Sequence, residues 1–160
     1  MKTKSFFIIV AAILFAAGAT AQPVSGPKIV AGIAPSYDVN GMNIGVNVTG
    51  VNPVTNHPNM NFRLEFNLHN LVTKVGFSSI GSSYFGISVY SDIGLEAFTG
   101  LGLYIDPAAT LLLGPSMDIG CGYEFHKFYC GIVGQLCPCS PTKEVISLRL
   151  SYVIPISRNR

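Results

Sequence analysis

Hydrophobic and polar residues alternate along most of the chain after residue 40. The clearest example is NFRLEFNLHN, residues 61–70, in which phenylalanine and leucine take even positions and mostly polar or charged residues take odd ones. A period of two is typical of β-strands whose two faces meet different surroundings. The pattern leaves open whether the apolar face packs into a soluble core or faces lipid.

The same period, bounded by turn residues, predicts eight strands. They cover approximately 41–51, 60–68, 71–80, 84–90, 93–105, 116–125, 128–137 and 144–156. We therefore predict an all-β fold, an antiparallel up-and-down transmembrane β-barrel of about eight strands in residues 41–156. The segment before it, 22–40, is open: KIVAGIAP, Lys28 to Pro35, could add a strand or lengthen the first one.

The predicted connections differ in length in a regular way. Short ones follow the second, fourth and sixth predicted strands, at 69–70, 91–92 and 126–127. Longer ones, rich in Pro, Asn and Ser, lie at 52–59, 106–115 and 138–143, and only 81–83 fails to be long. Short turns at one end and longer loops at the other are typical of outer-membrane barrels.

The two faces of the predicted strands differ in chemistry. Apolar positions switch between even and odd numbers across the predicted two-residue turns. This switch is expected because the residues flanking such a turn, Leu68 with Leu71 and Phe125 with Phe128, pair directly and point to the same face. The opposite face is mostly Gly, Ser and Asn, which suit a narrow interior. Its charged members are Arg63, Glu65, Lys74, Glu96, Asp118, Glu124 and Arg149.

Eight strands enclose a lumen that side chains just fill. We therefore predict that the small, polar face lines the lumen and that its charges form a paired network, because an unpaired buried charge is costly. The leucine, phenylalanine and isoleucine face then meets lipid.

Composition supports this assignment. Charged residues are 11% of the chain and hydrophobic residues 49%, whereas soluble domains usually carry about 25% charged residues. A transmembrane β-barrel accounts for both values, because its apolar residues are spread at alternate positions over many short strands.

The N-terminal residues have the three parts of a secretory signal: Lys2 and Lys4, an apolar run from Phe6 to Ala17, and a small-residue cleavage site ending at Ala21. We predict that 1–21 is a cleaved signal peptide and that 157–160 is a basic tail. Cleavage removes two of ten basic residues and leaves eight against eight acidic ones, so nothing indicates a nucleic-acid partner.

At 41–156 the chain resembles small eight-stranded outer-membrane β-barrels of Gram-negative bacteria, of the porin-like kind. Its final strand, EVISLRLSYVIPI, is similar to the C-terminal strand that the barrel-assembly machinery recognises. The resemblance implies export to the outer membrane, with outer-membrane lipid and that machinery as partners. The chain departs from the family in ending SRNR after Ile156, in Pro155 and in lacking Trp; Tyr123, Phe125 and Phe128 could form the aromatic girdle.

The cysteines and histidines carry weaker signals. Cys121 and Cys130 would be diagonal neighbours across the 126–127 hairpin, which is poor geometry for a disulfide. We therefore expect both cysteines to serve as small apolar side chains. Cys137 and Cys139 lack the C-x-x-C spacing, and we expect no metal and no cofactor. Glu124-x-His126 resembles half of a catalytic triad but has no suitably spaced serine.

We therefore expect a non-enzymatic outer-membrane barrel whose lumen is filled by its own side chains. Its role would be structural, or its loops would adhere to or otherwise interact with a partner. The sequence does not identify that partner. One alternative is a soluble secreted or periplasmic β-barrel that binds a small apolar ligand. Another is a lipid-modifying barrel enzyme. A channel is less favoured, because eight strands leave no aqueous pore.

Overall fold

The computed structural model describes residues 25–38, 41–69, 80–106, 112–138 and 144–156. These residues form a closed barrel in which each strand pairs antiparallel with the next and β8 pairs antiparallel with β1. The strands are β1 (Lys28–Asp38), β2 (Gly41–Val54), β3 (His57–His69), β4 (Ile80–Tyr90), β5 (Leu95–Asp106), β6 (Leu112–Phe125), β7 (Phe128–Leu136) and β8 (Glu144–Pro155). The predicted all-β class, antiparallel barrel and number of strands are confirmed.

The first strand of the barrel is β1, so the segment left open by the sequence does add a strand. Its ladder with β2 runs from Lys28 opposite Val51 to Asp38 opposite Gly41. Apolar residues occur on both of its faces, which hides the period of two: Val30 and Ala34 are buried, whereas Ile33 is exposed.

The predicted hairpin at 69–70 is wrong. Leu68 pairs with Gly81 and not with Leu71, because β3 pairs directly with β4. This pairing sets Leu64 beside Phe85 on the outer face, and such cross-strand pairs of large apolar residues stabilise a sheet. The predicted strand 71–80 lies, except for Ile80, outside the described residues.

The turns also correct the predicted loops. The predicted loop 52–59 is wrong: Thr55 and Asn56 alone connect β2 to β3, and Asn56 takes a positive φ of 68° that asparagine tolerates. Residues 81–83 belong to β4, and 112–115 belong to β6 and not to a loop. The short turns at 91–94 and 126–127 agree closely with prediction.

These corrections place all the described short turns at one end of the barrel, which we call the turn end. It also holds the start of β1 and the end of β8, where Ile156 N donates to Pro27 O at 2.9 Å. The strand ends that flank 39–40, 70–79, 107–111 and 137–143 lie at the opposite end, which we call the far end.

The small, polar face lines the lumen and the large apolar side chains point outward, as predicted. Leu101 on the outer face is 70% exposed, whereas Arg149 in the lumen is 1% exposed. Buried polar and charged residues include Lys28, Asn47, Thr49, Arg63, Glu65, Asn67, Ser88, Glu96, Asp118, Glu124, Gln135, Ser147, Arg149 and Ser151. In the part of the chain that the structure describes, no helix is long and apolar enough to cross a membrane.

Aromatic rings fill the lumen beside the small residues, a feature that the sequence reasoning missed. The Phe98 ring lies over Gly120, its direct cross-strand partner, where an added Cβ would come within 2.5 Å of the ring. Tyr104 covers Gly114 in the same way, and Tyr129 covers Gly122. Each glycine therefore provides the space that a neighbouring ring occupies.

Gly122→Val should reduce the free energy of unfolding by about 1–3 kcal/mol, because the added side chain would overlap the Tyr129 ring. The measurement is urea unfolding of the detergent-folded protein followed by far-UV circular dichroism. Gly134→Val is the matched control, since a Cβ at this position on the outer face meets no atom closer than 3.9 Å. Equal losses in the two variants would contradict the proposed ring-over-glycine packing.

Candidate functional site

Glu65 on β3 is the centre of the buried charge network. Arg149 on β8 donates to both of its carboxylate oxygens, one of them at 2.5 Å. Asn67 Nδ2 donates at 2.6 Å and Arg63 Nη2 at 3.3 Å. The Glu65 carboxylate therefore connects β3 to β8 through the lumen, although β1 and β2 separate these two strands in the barrel.

Arg63 extends the network to β5, where it contacts Glu96 through a salt bridge. Its guanidinium carbon lies 3.9 Å from the centre of the Phe98 ring, and the guanidinium carbon of Arg149 lies 5.3 Å from the same centre. An aromatic face attracts a cation when both are withdrawn from water. Phe98 therefore contributes to holding the two arginines, beyond filling space over Gly120.

A second ion pair lies at the turn end. Lys28 Nζ donates to Glu124 Oε2 at 2.6 Å and lies 4.3 Å from the centre of the Tyr90 ring. Glu124 was predicted as a network residue, whereas Lys28 was not, because it lies in the segment whose strand the sequence left open. An apolar cluster of Val30, Val51, Tyr129 and Val153 lies beside this pair, since Val51 is the strand partner of Lys28 and Tyr129 that of Glu124.

Of the seven residues predicted for the network, the structure brings Arg63, Glu65, Glu96 and Arg149 into one cluster. Glu124 belongs to the separate pair at the turn end, and Lys74 lies outside the described residues. Asp118 is buried, and among the described residues its Oδ1 has no hydrogen-bond partner.

The gap between Arg63, Tyr84, Gly100 and Asp118 has no room for a water-sized sphere. The lumen is therefore filled at this level by its own side chains, as expected for eight strands.

Among the described residues, the cysteines and histidines form no combined site. Cys121, Cys130 and Cys137 are free thiols in the structure, while Cys139 lies outside the described residues. Burial raises the pKa of the Cys137 thiol, which disfavours the reactive thiolate. Within the described ranges no group of three or more His, Cys, Asp and Glu side chains could hold a metal ion.

The structure does not bring Glu124 and His126 together as two members of a catalytic triad. Glu124 is fully buried and bonded to Lys28, whereas His126 is exposed in the β6–β7 turn with a positive φ of 52°.

The predicted girdle residues form a continuous aromatic arc on the outer face at the turn end. Tyr123 stacks on Phe125 with ring centres 6.1 Å apart, and Phe125 on Phe128 at 5.7 Å. Tyr152 on β8 continues the arc, edge to face with Phe128 at 5.7 Å. The sequence reasoning missed Tyr152 as a member because this contact depends on the β7–β8 pairing.

No protein-family model and no curated protein sequence matches the chain. Among solved structures, a similar chain comes from one described as "De novo design of transmembrane beta-barrels". It is 12% identical, with a TM-score of 0.57, over 83% of this chain and 99% of that chain. At this identity the likeness concerns the fold alone.

Glu65→Gln should reduce the free energy of unfolding by about 3–5 kcal/mol, because it leaves the buried Arg149 without its carboxylate partner, whereas Arg63 keeps its salt bridge to Glu96. Urea unfolding in detergent micelles measures the loss. Glu144→Gln, an exposed carboxylate on β8, is the control and should stay within about 0.5 kcal/mol. A loss as small as this in Glu65→Gln would show that Glu65 does not hold the network together.

Proposed function

We propose that this protein is a non-enzymatic barrel of the bacterial outer membrane, exported through the predicted signal at 1–21. Its far-end connections would perform its structural or adhesive role. The observation that carries the proposal is the outer face, where each strand presents large apolar side chains to its surroundings. A soluble protein rarely exposes so continuous an apolar surface, whereas lipid covers it at no cost.

The height of the apolar band fits a membrane. On β8, exposed side chains alternate with buried ones from Ile146 to Ile154. With a rise of about 3.4 Å per residue and a strand tilt of about 40°, this stretch extends about 21 Å along the barrel axis. Outer-membrane barrels carry an apolar band about 25 Å tall.

The aromatic arc supports one orientation of the barrel. Tyr123, Phe125, Phe128 and Tyr152 lie at the turn end, next to the exposed Lys127. Aromatic and basic side chains favour the membrane–water interface, so we assign the arc to an interface. Because periplasmic turns are the short ones in such barrels, the turn end would face the periplasm and the far end the outside.

The filled lumen supports a structural or interaction role over transport. Ion pairs, aromatic rings and the apolar cluster at the turn end occupy the interior. Interaction with a partner would then fall to the far-end connections 70–79, 107–111 and 137–143, in place of the loops predicted at 52–59, 106–115 and 138–143. The predicted contact of the last strand with the assembly machinery remains part of this proposal.

Leu64→Arg should prevent insertion, because it places a cation on the outer face near the middle of β3. A cation at the membrane midplane costs about 2–4 kcal/mol in a barrel. We expect the wild type in the outer-membrane fraction, with a gel band that shifts on boiling in detergent, and loss of both properties in the variant.

The matched control is Asn52→Arg, which adds the same cation on the outer face beside the Thr55–Asn56 turn, where it can reach water. This variant should insert normally. Recovery of the wild type in the soluble fraction, without detergent, would overturn the membrane assignment and favour the soluble ligand-binding barrel.

The orientation can be tested with a short epitope tag at two places. A tag inserted in 107–111 should be labelled by antibody on intact cells, because we place the far end outside. A tag at Thr55–Asn56 should be labelled only after the outer membrane is permeabilised. The reverse pattern would show that the barrel inserts in the opposite orientation.

A further inference from the structure

The β6–β7 turn carries an exposed cation at the turn end of the barrel. This residue, Lys127, forms no salt bridge within the part of the chain that the structure describes. Its backbone is held against β8, because Lys127 O accepts a hydrogen bond from Val153 N at 2.7 Å. The positive charge of the turn therefore has a defined position beside β8.

The aromatic arc lies directly beside this cation. Phe125 and Phe128 flank the turn as cross-strand partners, and their rings stack with centres 5.7 Å apart. Phe128 also pairs with Tyr152, the residue before Val153. Aromatic rings favour the membrane–water interface, so a lysine that immediately adjoins them at the end of the barrel lies at the depth of the lipid headgroups.

The charges around Lys127 favour an anionic ligand. Glu124, the carboxylate nearest along the chain, is buried in the lumen and bonded to Lys28. The exposed acid of the described turn end, Asp92, lies in the β4–β5 turn, on the side of β6 away from β8. On the other side, the sequence that follows β8 ends in SRNR, residues 157–160, with two basic residues and no acid. The sector from β6 to β8 is therefore basic.

We propose that Lys127 and the aromatic arc bind the headgroup of an anionic phospholipid in the leaflet around the turn end. The ammonium group of Lys127 would pair with the negative headgroup, and the rings of Phe128 and Tyr152 would lie against the glycerol and upper acyl chains. A zwitterionic lipid also carries phosphate, but its own cation offsets that charge. The inference rests on the proposed membrane function and adds to it a lipid preference, which an apolar outer face alone does not produce.

The chain has no tryptophan, so a tryptophan introduced at one position reports on the lipids at that position alone. Tyr152→Trp places this reporter in the arc beside Lys127, and Leu113→Trp places it on the outer face toward the far end. Each protein is inserted into phosphatidylcholine vesicles that contain brominated phosphatidylglycerol or, separately, brominated phosphatidylcholine. Quenching of the tryptophan fluorescence then gives the relative binding of the two lipids.

At low salt the Tyr152→Trp protein should bind phosphatidylglycerol about fivefold more strongly than phosphatidylcholine, the factor expected for one cation near a negative headgroup. This preference should decline toward equality at about 1 M salt, where screening is strong. Adding Lys127→Gln should remove the preference, whereas Lys127→Arg keeps the charge and should retain it. The quenching ratio of the Leu113→Trp protein should not respond to Lys127→Gln.

A Tyr152→Trp protein that inserts but binds both lipids equally, or that keeps its preference after Lys127→Gln, would overturn this inference and leave the membrane assignment intact. A protein that does not insert into the vesicles, with a gel band that does not shift on boiling, would overturn both. Displacement of the brominated phosphatidylglycerol by soluble glycerol phosphate at constant ionic strength would show a site for free phosphate esters and overturn the lipid as its ligand.

Discussion

The width of an eight-stranded barrel is the constraint on which the rest of this structure depends. Eight closed strands leave a lumen that only side chains can fill, so each inward position must suit its neighbours in size as well as polarity. The chain meets this condition by placing glycine beside aromatic rings: Gly120 beneath Phe98, Gly114 beneath Tyr104 and Gly122 beneath Tyr129. These three glycines are therefore counterparts of large rings and do not indicate a flexible chain.

The charges of the lumen follow from the same constraint. A charged side chain in so narrow a space loses its water, and its cost is offset only when partners surround it. Glu65 meets this requirement with hydrogen bonds from Arg149, Arg63 and Asn67. Phe98 adds an aromatic face to the two arginines, so one residue both fills space and stabilises charge. The outer face needs no such arrangement, because its side chains are predominantly apolar.

The sequence predicted the barrel, its two faces and most of the charged residues, because a period of two is a local property that each strand shows by itself. It failed where strand identity depends on pairing. Val30 and Ala34 give β1 apolar residues on its inner face, which hides its alternation. The prolines and asparagines of 52–59 are typical of a long loop, but most of them lie in β2 and β3. The lumen aromatics could have been found: Phe98, Tyr104 and Tyr129 all occupy inward positions by parity. Only the cross-strand register shows that glycines lie beneath them.

The buried charges help to determine the register of the strands. Replacing a buried ion pair by apolar residues is often neutral or stabilising, so net stability does not explain the Glu65 network. A slip of one residue would turn every side chain of a strand to the other face. In β8 such a slip would move Arg149 to the outer face and bring Leu148 or Leu150 opposite Glu65. Because the outer face of the described strands is predominantly apolar, both the misplaced arginine and the carboxylate left without it would be unfavourable. The network therefore favours the observed register of β3, β5 and β8 over registers shifted by one residue. A lumen lined by apolar residues could not provide this selection.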